Sequence, residues 1–506
     1  MRIFLSAVLI SFFTLGASKA QSGYFEDALR FSNAMPSGNS RIMGIGGTQW
    51  SLGGDVSNIA GNPAGLGFFR TSEASITLGY TSRNVDATYL GQRRSYSTPN
   101  FHLPNLSFVL ASPKSDILER SAFKGGSFGV SIQRIANFNN EFGYFSDTPG
   151  ETSIIDFYIQ DAFGIPENQI QNFGLTGLAY TTYQINPIFQ DEDGNIIPNP
   201  DTYDSFVLGF PFQDEAIVQE GSANQMTFAY GANFNHKFFI GGSLGIRTIS
   251  FSSRKIYSEE FFDDPPTLNN SSLQENLFIN GTGVNLSIGM IYKPIDYWNI
   301  GFNFQSPTWF SMNEEYSASV VANYANYYFE PEDRFLNQEE AFTDIFLNRY
   351  NLNTPLRLGG GTTFFLGKNG FISADIDWVD YSNANFRTND FDVRPDNEAI
   401  SRLYGSTLNY RVGAEFVLNM IRLRGGYAMF GDPFVESDID RSVQQVSGGI
   451  GVRLNNFSID FAILNQQSDG LYRSYQVLDE NNNNIGPSTF LENSITTGFL
   501  TVGLNF

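Results

Sequence analysis

The chain has 506 residues and a formal net charge of −22, from 52 acidic and 30 basic residues. That balance argues against a nucleic-acid partner, whose phosphates need Lys and Arg, and the lack of any cysteine excludes a disulfide-stapled secreted fold. Charged residues make up only 16%, while Gly and Phe each occur 49 times and Tyr 24 times, a composition that suits tilted membrane strands with aromatic girdles.

Residues 1–20 read as an export signal. Arg2 supplies a positive start, Ile3 to Leu15 an apolar stretch too short to span a bilayer as a helix, and Ser18-Lys19-Ala20 a small-x-small cleavage site before Gln21. No later stretch reaches about 18 apolar residues, so no transmembrane helix is predicted. A membrane protein without such helices has to be a closed barrel, because every backbone polar group in lipid needs a partner.

Residues 21–70 do not alternate and are rich in glycine, notably Gly44-Ile45-Gly46-Gly47, Gly53-Gly54-Asp55 and Gly61-Asn62-Pro63-Ala64-Gly65-Leu66-Gly67. Such a segment suits a periplasmic tail or a plug. A phosphate-binding loop does not fit, since Gln49 stands where a third glycine is required and no βαβ context surrounds it.

From about residue 71 to the last residue, short segments alternate apolar and polar side chains. Val284, Leu286, Ile288, Met290 and Tyr292 face one way, against Asn285, Ser287 and Gly289. Ile372, Ala374, Ile376 and Trp378 oppose Ser373, Asp375 and Asp377, and Phe457, Ile459, Phe461 and Ile463 oppose Ser458 and Asp460. The last segment alternates up to Phe506, and a final strand with a terminal aromatic resembles the assembly signal read by the barrel assembly machinery of outer membranes.

About fourteen strands are predicted, over 71–86, 104–111, 124–139, 225–236, 240–258, 276–294, 298–322, 350–366, 369–386, 401–417, 420–430, 443–453, 456–476 and 493–506. The predicted fold is all-β: a 14-stranded antiparallel transmembrane β-barrel over residues 71–506, its lipid face apolar and its bore polar. An even count puts both ends on one side, the periplasmic one. Tight turns near Phe238, Lys293–Trp298, Gly367-Lys368, Leu418-Asn419 and Asn455-Asn456 would lie there. Segments 87–103, 140–224, 259–275, 323–349, 387–400, 431–442 and 477–492 read as loops on the opposite side. The longest, 140–224, is too long for an idle connection and is expected to hold short helices.

Met43-Gly44-Ile45-Gly46-Gly47, Leu52-Gly53-Gly54-Asp55-Val56-Ser57 and Asn62-Pro63-Ala64-Gly65-Leu66 together resemble the N-terminal hatch of the FadL/TodX (OMPP1) family of outer-membrane transporters, in its Bacteroidetes-type branch. Gln305-Ser306-Pro307-Thr308, Thr354-Pro355, Asp377-Trp378 and Arg424-Gly425-Gly426-Tyr427 follow in matching order. The resemblance implies a hatch over 21–70 that plugs the lumen, with Gly47, Asp55, Asn62, Pro63, Ala64, Gly65 and Leu66 as its motif residues. It also implies a passive channel for long-chain fatty acids, aromatic hydrocarbons or similar hydrophobic small molecules. These would be caught by the loops and would leave sideways into the membrane lipids. An alternative within the same family is an accessory barrel of a protein secretion system.

Inward positions on neighbouring strands carry Asp375, Asp377, Arg411, Glu415, Arg422 and Arg424. Opposite charges there predict a polar ladder that lines the wall or holds the hatch; a carboxylate site on Arg411, Arg422 or Arg424 is the sharper alternative. An enzyme is not expected, because His102 and His236 are the only histidines and neither sits in a catalytic motif. No cofactor and no metal site is predicted. The acidic run Asp191-Glu192-Asp193-Gly194-Asn195 lacks the spaced ligands of a calcium loop.

Overall fold

The computed structural model describes residues 23–32, 35–114, 121–190, 193, 195–207, 209–262, 267–435, 439–481 and 483–506. The predicted export signal lies outside the described residues, as does most of the acidic run at 191–195.

Fourteen antiparallel strands close on themselves. The first is Glu73–Tyr89, the second Gln92–Pro113 and the third Phe123–Asn137, continued by Asn140–Phe145. The fourth to sixth are Phe212–Phe234, Phe238–Glu260 and Leu268–Ile295. The seventh and eighth are each in two pieces, Trp298–Gln305 with Trp309–Phe329, and Phe346–Asn353 with Arg357–Phe365. The ninth is Gly370–Asp380, extended past a turn by Asn385–Arg387. Ser406–Leu418, Ile421–Phe430, Val443–Leu454, Phe457–Arg473 and Ser488–Asn505 complete the wall. The last pairs with the first from Glu73↔Asn505 to Thr88↔Phe490, which closes the wall into a cylinder.

Outward side chains form an apolar belt. On the sixth strand it runs through Val284, Leu286, Ile288, Met290 and Tyr292, and on the tenth through Leu408, Tyr410, Val412 and Phe416, all exposed. Among the described residues no helix is long and apolar enough to cross a membrane. A closed barrel crosses with its strands, and this apolar belt is its lipid-facing surface. Above it the strands continue as a polar-faced collar. On the fifth, the outward positions after Ile246 are Thr248, Ser250, Ser252 and Arg254.

The collar corrects several predicted loops. The segment 87–103 is no loop but a hairpin turning at Leu90-Gly91, with Tyr89 paired to Gln92. The fourth strand begins at Phe212 rather than 225, and 323–349 holds an added hairpin strand, Arg334–Phe342, paired to the seventh. Between the third and fourth strands lie helices Ile154–Ala162, Glu167–Ile170 and Gly174–Thr181. They roof the barrel mouth over a core that includes Tyr144, Tyr158, Ile185, Tyr257 and Tyr316. Ser153 caps the first of these helices through the amide of Ile155, and the buried Glu259 accepts from the Ser153 hydroxyl (2.5 Å) and the Ile154 amide (2.8 Å), which pins the roof to the fifth strand.

Pro307 and Pro355 interrupt the seventh and eighth strands side by side, and two side chains and one backbone bond take over the lost pairing. The Thr308 amide donates to Thr354 Oγ1 (2.9 Å), the Thr354 amide to Thr308 O (3.1 Å) and the Leu286 amide to Ser306 Oγ (2.9 Å).

The belt predicts a depth-dependent response to charge. Ile288→Arg at mid-belt is expected to destabilise the barrel by about 2–4 kcal/mol in lipid vesicles, whereas Ser252→Arg on the collar, opposite Glu220, stays within about 0.5 kcal/mol. Reversible denaturant titration in vesicles checks both, and equal costs would refute the assignment of the belt.

Candidate functional site

The chain from Ser37 to Phe69 lies inside the lower bore. Its short helices are Ser40–Gly44, Val56–Ile59 and Pro63–Phe68. Asn39, Asp55 and Asn62 start them, each accepting a backbone N–H with its own side chain, from Ile42, Ser57 and Ala64 respectively. Pro63 suits the first position of the last turn, where its missing N–H costs nothing.

The plug touches the wall at backbone distance, and wall glycines allow it. A Cβ on Gly301 would meet the carbonyl of Trp50, on Gly289 the side chain of Asn62, on Gly241 the carbonyl carbon of Pro63, and on Gly413 the carbonyl of Ile45. Asn62 Nδ2 donates to Trp50 O within the plug and to Phe302 O of the seventh strand (3.3 Å). Ala64 packs on Phe239 and Ile291, and Leu66 on Ile59, Val109 and Ala229. Gly65 accepts from the Gly54 amide (3.0 Å) and lies against Asn58. Gly47 has a left-handed backbone (φ 80°), and its amide donates to Ile42 O.

Charges complete the docking. Arg411 Nη2 lies 2.6 Å from Asp377 and 3.6 Å from Asp375, and its guanidinium stands over the Trp50 ring. Asp375 Oδ2 accepts the amides of Gln49 (2.7 Å) and Trp50 (3.1 Å), and Asp377 accepts the Trp50 indole N–H. A second chain of charges runs from Asp55 to Arg41 (3.4 Å), Arg41 to Glu415 (3.1 Å), Glu415 to Arg424 (2.8 Å) and Arg424 to Asp460 (2.7 Å).

Five of the six wall residues proposed from sequence, Asp375, Asp377, Arg411, Glu415 and Arg424, therefore meet the plug or one another. Arg422 does not. It lies near the turn end of the eleventh strand, half exposed, and donates to Met420 O (3.4 Å). Its inward parity is right, but its height places it below the plug. Sequence reasoning missed Arg41, Trp50 and Asp460. Asp460 alternates inward like the rest, while Arg41 and Trp50 lie in a segment without periodicity.

Above the plug, roofed by the loop helices, lies a cavity of about 2220 Å³. Met35, Pro36 and Ser37 form part of its floor, Phe157 and Leu175 part of its roof, and His102, Pro104, Arg134 and Ile135 part of its side. That side is where the wall is incomplete. The ladder between the second and third strands runs from Pro113↔Gly125 to Asn105↔Gln133 and ends there, although the second strand continues to Gln92 against the first. Both lips are irregular. The register slips around Leu103-Pro104 on the second strand and at Ile135 on the third, and Pro99 and Pro104 bring no N–H to the second. Side chains stitch the seam instead. Ser37 Oγ donates to Arg134 O (2.6 Å), Arg83 Nη2 to Asn137 O (3.4 Å) and Asn137 Nδ2 to Asn100 Oδ1 (3.2 Å). The seam sits at the loop-side edge of the belt, where outward residues pass from Tyr80 to Ser82 and from Ile132 to Arg134.

A fourteen-stranded membrane barrel, plugged at one end, roofed at the other and unzipped at one seam, is the class that these features define. Among solved structures it is similar to a Pseudomonas aeruginosa FadL homologue, with a TM-score of 0.56 and 14% identity over 94% of this chain and 99% of that one. It is also similar to the Pseudomonas putida toluene transporter TodX (0.54, 13%, 94% and 100%) and to the CymD monoaromatic hydrocarbon channel (0.51, 12%, 94% and 98%). At such identities the likeness is one of fold. No family model and no curated protein sequence matches the chain.

Removing one member of the buried charge chain should loosen the plug without opening the wall. Glu415→Gln is expected to cost about 3–5 kcal/mol locally, because Arg41 and Arg424 lose their shared partner. Amide hydrogen exchange should rise over residues 39–58 while the strand ladders stay protected. Unchanged protection over 39–58 would show that these ion pairs do not hold the plug.

Proposed function

We propose that the chain is a passive outer-membrane channel for hydrophobic small molecules, such as long-chain fatty acids or aromatic hydrocarbons, which leave sideways through the seam between the second and third strands. The observation that carries this reading is the coincidence of the cavity with the lapse in the β-ladder. A solute entering under the roof meets a floor filled by charged and hydrogen-bonded groups and a side wall stitched only by side chains. An apolar chain gains about 0.8 kcal/mol for each CH₂ it buries, so exit into lipid is favoured over exit into water.

In this reading residues 21–70 are the hatch and residues 71–506 the transmembrane domain. The tight turns and the C-terminal Phe506 face the periplasm, whereas the helix Tyr24–Ser32 lines the cavity above the plug, which corrects the expected periplasmic N-terminus; Phe506 serves recognition by the barrel assembly machinery. Of the similar structures, TodX is a toluene transporter and CymD a monoaromatic hydrocarbon channel, which supports a channel over an enzyme. The non-enzymatic reading is further supported by the histidines. His102 lies at the seam, and His236 in the turn after the fourth strand, where its ring contacts Asn233.

The test uses the absence of native cysteine. Asn100→Cys with Asn137→Cys, bridged by a short bifunctional thiol reagent, should suppress uptake of a labelled hydrophobic probe by cells carrying the full chain, and cleaving the bridge should restore it. Uptake that is indifferent to the bridge would exclude the lateral route.

A further inference from the structure

The seam carries positive charge that the protein itself does not neutralise. Arg83 points inward from the first strand and lines the cavity. Its hydrogen bond to Asn137 O is 3.4 Å long, at the weak end of the range. Among the described residues no carboxylate forms an ion pair with it, and its one side-chain hydrogen bond goes to a neutral carbonyl. Arg134 on the opposite lip donates to a neutral amide oxygen, Asn224 Oδ1 (3.3 Å). His102 faces the same cavity from the second strand. By contrast Arg41, Arg411 and Arg424 in the lower bore each meet two carboxylates. In a chain with 52 acidic residues, a half-buried guanidinium at a wall opening with no acid beside it is poorly compensated, and an incoming anion supplies what is missing.

We infer that Arg83 reads the charge of the solute at the seam: it holds the seam closed on the Asn137 carbonyl and releases that carbonyl to take the anionic head group of an amphiphile, so anionic chains pass in preference to neutral ones. This rests on the lateral-exit reading above. A guanidinium binds a carboxylate or phosphate through two charge-assisted hydrogen bonds, each stronger than its single contact with a neutral carbonyl. An anionic head therefore competes for the stitch. A neutral hydrocarbon or alcohol does not, and meets a seam still tied. Leu103, Pro104 and Ile135 on the two lips offer apolar surface to the chain that follows the head.

The experiment compares initial uptake of labelled dodecanoate, dodecyl phosphate and dodecanol by cells carrying the full chain, in wild-type form and as Arg83→Gln and Arg83→Lys. Heat-modifiable gel mobility verifies that each variant is an assembled barrel. The wild type is expected to favour both anions over the alcohol by about tenfold, the ratio that 1.4 kcal/mol of differential interaction gives. In Arg83→Gln that ratio should collapse toward one, in part because the alcohol now passes more freely. Arg83→Lys should keep more of the preference than Arg83→Gln. A ratio unchanged in Arg83→Gln would overturn the inference while leaving the channel intact, and so would dodecyl phosphate that follows the alcohol. A wild type that passes none of the three probes would instead sink the channel reading on which the inference stands.

Discussion

Backbone pairing in lipid is the constraint on which the rest of this structure depends. A polar backbone group without a partner costs several kcal/mol in the hydrocarbon region, so a wall of strands has to close, and wherever its ladder lapses something else has to bond. The lapses here are local and each is supplied. At Pro307 and Pro355, threonine and serine side chains stand in for the ladder. At the seam, Ser37 from the plug and Arg83 from a neighbouring strand bond carbonyls of the third strand. The difference between the two places is reach. The first is mended from within its own strands. The second depends in part on the plug and on a long flexible cation, both of which can let go.

The same requirement shapes the plug. A segment of turns and short helices exposes many amide and carbonyl groups, and inside a bore they need partners at close range. Glycine in the wall lets backbone meet backbone at Gly241, Gly301 and Gly413, while Asp375 collects the amides of Gln49 and Trp50. Buried ion pairs are poor sources of net stability, since desolvation offsets most of their attraction. They are demanding about position. Arg41 satisfies both Asp55 and Glu415 in one seating of the plug, and a shifted plug would leave a charge unpaired.

Much of the barrel was legible because the belt imposes a period of two. Where one face meets lipid and the other polar bore, each strand declares itself, as Val284 to Tyr292 and Ile372 to Trp378 do. Above the belt that contrast vanishes. Arg93, Ser95 and Ser97 stand exposed on one side of the second strand while the other side is also largely polar, so 87–103 reads as a loop from sequence and is a hairpin in the structure. Height was illegible for the same reason. Arg422 and Arg424 share a parity, yet only Arg424 reaches Glu415, the wall carboxylate that holds Arg41 of the plug. The plug's own partners, Arg41 and Trp50, belong to a stretch whose contacts are set by tertiary docking rather than by any repeat. The seam left two traces in the sequence, Pro99 and Pro104, but a proline count does not say which neighbouring strand is lost.

The geometry of the lower bore bears on the choice of route. A solute moving straight down would have to part Asp55, Arg41, Glu415, Arg424 and Asp460, and to strip Asp375 and Asp377 from Trp50 and Arg411. Each separation leaves buried charge uncompensated, at about 3–5 kcal/mol for a broken pair, and the steps would accumulate. At the seam the corresponding cost is a few hydrogen bonds, one of them at 3.4 Å, and each released carbonyl lies near the edge of the belt, where water and head groups can bond it. The difference in barrier follows from the placement of charge, dense beneath the cavity and sparse beside it. A plug tied this firmly suits a floor better than a door, and the wall beside it is the part of the molecule built to yield.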